Sequence, residues 1–183
     1  MGGSSGVYTK LYSLAKWHIY EMFYGRNYID AHTKTPTGEG NVNLLSKYEF
    51  QESLLYSKDH LWARIAQDQN PQSKVYVGMT DFGQQKIGPI EFIRILPKGR
   101  YISRGHPFGS VESGRRIVLL RAPIFGVIQE TNEELREHPD LINSDPYGRG
   151  WIATFQPFQL EEDRKELVSR REDLERLVAT APR

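Results

Sequence analysis

No cysteine occurs among the 183 residues. That excludes disulfides, thiolate metal sites and thiol nucleophiles. No apolar run approaches the ~20 residues that a membrane-spanning helix needs. Neither sign of charge dominates: the formal net charge is +1, and lysine and arginine are scattered without a basic block. Nothing therefore draws the chain towards nucleic acid or a lipid surface. The five histidines, His18, His32, His60, His106 and His138, are far apart and never stand at i, i+4, so surface or hydrogen-bonded roles outweigh metal ligation. A nucleophile–base signature, a phosphate-cradling glycine loop and metal-ligand spacing are all missing. The expectation is a protein that is not an enzyme and binds no metal. One further gap is local: no lysine lies between Gly99 and Asp163.

The start, Met1-Gly2-Gly3-Ser4-Ser5-Gly6, lacks the basic-then-apolar order of a secretory signal and places glycine where myristoylation wants serine or threonine. Acidic residues begin only at Glu21, as in a mitochondrial presequence, but no arginine precedes Arg26. A cytoplasmic location is expected, with the mitochondrial matrix as the alternative for a eukaryotic source.

Three regions can be separated. Residues 1–53 form an N-terminal extension: residues 7–24 carry apolar side chains at helical spacing, Gly25 supplies a stop, and a loop or linker follows. The extension is dense in aromatics. Trp17, Tyr20 and Phe23 are candidate interface anchors, packed on the domain or covered by a partner. Residues 54–158 hold short runs rich in valine, isoleucine, tyrosine and phenylalanine between Gly and Pro punctuation, the pattern of a compact β domain. A helical turn is expected over Asp81 to Ile87, and Asn132 is expected to cap a short helix ahead of Pro139. Residues 159–183 read as one charged amphipathic helix, with Leu160, Leu167, Leu174 and Val178 on its stripe and acidic residues in its first turn.

Five motifs stand in order within the middle region: Tyr56-Ser57-Lys58-Asp59-His60-Leu61-Trp62, Val77 to Gln84, Ile87-Gly88 through Leu96-Pro97, Gly109 to Gly126, and Asn132 through Trp151. Together they resemble the glycine cleavage system H protein family, the lipoyl carriers of that complex. The resemblance implies a mainly β fold, a barrel-sandwich hybrid, and a carrier lysine presented on a hairpin; the N-terminal and C-terminal helices read from periodicity are additions to that fold.

Two positions depart from the family pattern. A gapless count from Glu112 to Pro123 puts Arg115 where the resemblance implies the lipoyl lysine. Amide formation requires a neutral amine, and a guanidinium keeps its charge and delocalised electrons at every physiological pH. Leu61 stands where the resemblance implies a glutamate that holds the loaded arm. An apolar side chain there cannot pair with an ammonium. Gly114-Arg115 suits a two-residue type II′ turn, which leaves Arg115 and Arg116 exposed, either as a docking point for carboxylate or phosphate or simply solvated.

These residues lead to the expectation of a module without lipoate that acts by protein–protein contact as a structural or regulatory subunit. Candidate partners are proteins of the glycine cleavage or lipoate-related machinery. The alternative is a functional lipoyl carrier shuttling an aminomethyl group.

Overall fold

In the computed structural model, residues 44–66 and 74–180 are described. All belong to one compact unit, Val42–Arg183. The expected helix at residues 7–24, with Trp17, Tyr20 and Phe23, lies outside the described residues.

Among the described residues nine strands form two antiparallel sheets. The larger contains β1 (Leu55–Tyr56), β2 (Leu61–Ile65), β3 (Val75–Met79), β5 (Tyr101–Ile102), β8 (Gly126–Thr131) and β9 (Trp151–Pro157), in the order β1-β2-β3-β9-β8-β5. The smaller contains β4 (Phe92–Ile95), β6 (Pro107–Ser113) and β7 (Arg116–Arg121), in the order β4-β6-β7.

Alternation along the strands explains how the sheets face each other. Val75 and Val77 are fully buried in the core between them, while Tyr76 turns to the other side, edge-on to Trp151. From the smaller sheet Ile93, Phe108, Val111 and Leu120 enter the same core. Phe108 meets Phe155 edge to face, ring centroids 5.3 Å apart. Each such large apolar side chain stabilises the fold by about 1.5–3 kcal/mol.

A second apolar layer covers the back of the large sheet, built from Leu54, Tyr56, Trp62, Phe82, Tyr147, Leu174 and Val178. Trp62 lies flat over its strand neighbour Gly78. A Cβ on Gly78 would come within 2.3 Å of the indole, so only glycine admits the ring.

The expected helix at Asp81–Ile87 is present as α1. Thr80 caps it, its hydroxyl accepting from the Gly83 amide at 2.9 Å. Asn132 also caps as expected, but the turn it opens, Glu133–Arg136, is a single 3-10 turn rather than an α-helix. It is followed by α2 (Leu141–Ser144).

The single C-terminal helix expected over residues 159–183 is corrected. Two helices occur, α3 (Leu160–Arg164) and α4 (Arg171–Ala179). Between them Val168 is extended and pairs with Tyr56 on the edge of β1, through amide–carbonyl bonds of 2.8 and 2.9 Å. The apolar stripe serves two different cores: Leu160 and Leu167 pack on the inter-sheet core, Leu174 and Val178 on the back layer. The break lets one stripe reach both.

Candidate functional site

The hairpin β6–β7 is positioned from both ends of its first strand. Phe108 and Val111 are fully buried in the core. At the far end Ser113 is pinned by its own hydroxyl, which donates to the Ile87 carbonyl at 3.0 Å, at the end of α1. Ser113 pairs with Arg116, so Gly114 and Arg115 form a two-residue turn. Gly114 has φ +58°. Among the described residues His60 alone combines a side chain with positive φ, so Arg115 is on the negative side. A positive first and negative second residue is the type II′ pattern expected from Gly114-Arg115. A Cβ built on Gly114 meets nothing within 4 Å, so the tip is open, and Arg115 and Arg116 are both exposed.

Leu61 is placed differently from any cleft-lining role. It is 1% exposed and packs in the inter-sheet core. The structure does not bring it to the surface beside Arg115. The loop before it is tightly built. The Ser57 hydroxyl accepts from the Leu61 amide at 3.2 Å, and the Thr80 amide donates to the His60 carbonyl at 3.0 Å. The His60 ring sits 4.7 Å from that of Phe82. Burial, with a contribution from nearby Lys86, holds its pKa down at about 4. Its neighbour Asp59 is pushed the other way, its carboxyl raised by burial against the opposing pull of Lys58 and Arg121.

The closing segment is a scaffold. Asn143 accepts from the Ile90 amide at 2.9 Å and donates to the Gln84 side chain at 2.7 Å. Pro146 accepts from the Trp62 indole at 2.9 Å. The Tyr147 hydroxyl donates to the Glu49 carbonyl at 2.5 Å and accepts from the Asp81 amide at 3.1 Å. Burial raises the pKa of Tyr147, and that of Tyr56 to about 12, so both phenols stay protonated as donors.

Two features escaped the sequence reading. Asp163 was grouped with acids that favour a helix start, yet it is fully buried and its carboxylate accepts from the Phe125 amide at 2.7 Å, with Arg104 at 3.5 Å. Phe92, Ile117 and Leu119 are exposed on the outer face of the small sheet. Strict alternation from Ile117 was the available signal, obscured because Val118 and Leu120 make the run look apolar throughout. Among the described residues no group of three or more histidine, aspartate or glutamate side chains is placed to hold a metal, and no helix is long and apolar enough to cross a membrane.

Two facing antiparallel sheets, one ending in a tight exposed hairpin, make a barrel-sandwich hybrid. The sequence pattern of the glycine cleavage H-protein family matches residues 54–180. The chain is 39% identical over 124 residues to a probable glycine cleavage system H protein of Pyrococcus horikoshii, covering 68% of this chain and 89% of that one. It is 42% identical over 120 residues to glycine cleavage system H protein 2 of Aquifex aeolicus, covering 66% and 72%. A crystal structure of the glycine cleavage system H protein from Mycobacterium marinum superposes with a TM-score of 0.55 at 34% identity, over 59% of this chain and 86% of that one. The chain belongs to the glycine cleavage H-protein family, whose members are carriers and not themselves enzymes.

That membership corrects the expectation that lipoate is absent. Proteins of this family bear lipoate covalently, and the match runs through the whole hairpin. At the tip itself the residues do not fit the tether. Arg115 has no acylatable amine, and residues 107–121 contain no lysine. No step is therefore routed through lipoate at this turn.

Proposed function

We propose that this chain serves the glycine cleavage system as an H-class carrier module, recognised by the system's proteins through its sandwich and hairpin. The family match across residues 54–180 carries this reading. It favours the form in which the chain shuttles an aminomethyl group on lipoate over the form in which it works by contact alone. The named relatives are archaeal and bacterial proteins, and a cytoplasmic location is proposed with them.

Two measurements test the role. The first is binding of the full chain to the decarboxylase, aminomethyltransferase and dihydrolipoyl dehydrogenase of its own organism, by calorimetry. A complex with at least one of them is expected, and binding to none would overturn the role. The second is intact mass with peptide mapping after co-expression with an active lipoate ligase. An added lipoyl mass on a lysine outside residues 107–121 identifies the shuttling form. An unmodified chain that still binds these enzymes identifies the contact form.

A further inference from the structure

The outer face of the small sheet carries an unusual combination of side chains. Register places Phe92, Glu112 and Ile117 in one row across β4, β6 and β7, and Arg94, Ser110 and Leu119 in the next. Phe92, Ile117 and Leu119 are 49%, 67% and 42% exposed, so three large apolar groups share one solvent-facing surface. Clustered exposure of this kind marks an interaction surface more often than a lone apolar residue does. The one carboxylate in the two rows, Glu112, is already bound to Arg94 at 2.5 Å, and the Arg94 guanidinium also lies over the Phe92 ring. At the turn Arg115 and Arg116 are exposed, and no ion pair to a described residue neutralises either. The face therefore presents an apolar patch beside two uncompensated guanidinium groups.

Charge decides what covers it. Strand β7 is an edge and offers a second copy an obvious partner strand. Antiparallel self-pairing about the middle of Arg116–Arg121 sets Arg116 of one copy against Arg121 of the other at both ends. Like charges directly opposed destabilise a strand pair, and charged edge residues are a common guard against such pairing. Arginine instead pairs well with carboxylates, in a fork geometry that also fixes orientation.

We propose that this face docks a partner protein whose contact surface joins an apolar patch to carboxylates set against Arg115 and Arg116. The partner's identity, and with it this test, rests on the H-class role, and loss of the face alone gives a different result from loss of the role. The test titrates the full chain, by calorimetry, with each glycine cleavage protein of its own organism. It compares the wild type with an Arg115→Glu, Arg116→Glu double variant, an Ile117→Ser, Leu119→Ser double variant, and an Arg136→Glu control. Arg136 is itself exposed on the 3-10 turn and is paired with Glu133 at 2.9 Å. All altered side chains other than Leu119 are well exposed, and thermal melts verify each fold. The expected result is binding weakened about tenfold in both double variants, unchanged in the control, and weakened by salt in the wild type. Equal affinity for wild type and double variants overturns the docking face and leaves the H-class role standing. Binding to none of the proteins overturns both. Self-association of the wild type, lost in the Ile117→Ser, Leu119→Ser variant, assigns the face to a second copy and overturns the proposal.

Discussion

An arginine at the second position of a hairpin turn carries a charge that no physiological pH removes. Arg115 holds that position, and the backbone around it keeps the type II′ geometry that glycine at 114 permits. Leu61, expected from the resemblance to stand where a glutamate holds the arm, is a buried packing residue. Its side chain completes the inter-sheet core, so it is explained by packing without reference to any arm. His60 shows how local burial sets chemistry. Its pKa of about 4 lies below the ordinary 6.5, so the unfolded chain takes up a proton that the folded chain refuses. Stability linked to His60 is therefore complete above pH 6.5 and falls as pH drops towards 4. Replacing His60 with Asn is predicted to remove about 2 kcal/mol of this acid sensitivity. Urea denaturation of both proteins at pH 7 and pH 4.5 measures it. An equal loss in the variant would mean that the acid response comes from other groups, Asp59 among the candidates.

At the scale of elements, the C-terminal stretch shows what periodicity conveys and what it omits. The spacing of Leu160, Leu167, Leu174 and Val178 announces a helix with one apolar stripe. It does not reveal that the two halves of that stripe belong to different cores, nor that Val168 pairs with Tyr56. Those facts depend on where β1 ends up, which no local window contains. Asp163 is the anchor of α3 against the loop at Phe125. Asp163→Ala removes the acceptor for that amide and leaves Arg104 without its buried partner, at a predicted cost of about 3 kcal/mol. Asp163→Asn retains one acceptor oxygen and should cost roughly half as much. Denaturant midpoints of the two variants check the order, and equal costs would show that the charge rather than the acceptor is what matters.

For the molecule as a whole, much of the architecture was legible because it is written in short-range signals. Asn132 announces its cap, Val75-Tyr76-Val77 announces a strand, and Gly114-Arg115 announces a turn. The order of motifs then fixed the family. The surface was less legible. Ile117 and Leu119 are ordinary strand residues until the pairing of β4, β6 and β7 shows that their side chains face away from the core. The expected absence of lipoate was a conclusion drawn for the whole chain from one side chain, and family membership corrects it. What Arg115 does determine is confined to the turn.

The central proposal is that this turn is a carrier hairpin, intact in shape, with Arg115 at the position that the family resemblance gives to the lipoyl lysine. It is tested most directly by co-expressing the wild type and Arg115→Lys with an active lipoate ligase and mapping both by mass spectrometry. The predicted result is one lipoyl group on residue 115 of the variant and no lipoyl group on residues 107–121 of the wild type. A variant that stays unmodified at 115 beside a fully lipoylated H protein control, or a wild type acylated on the hairpin, would contradict the account.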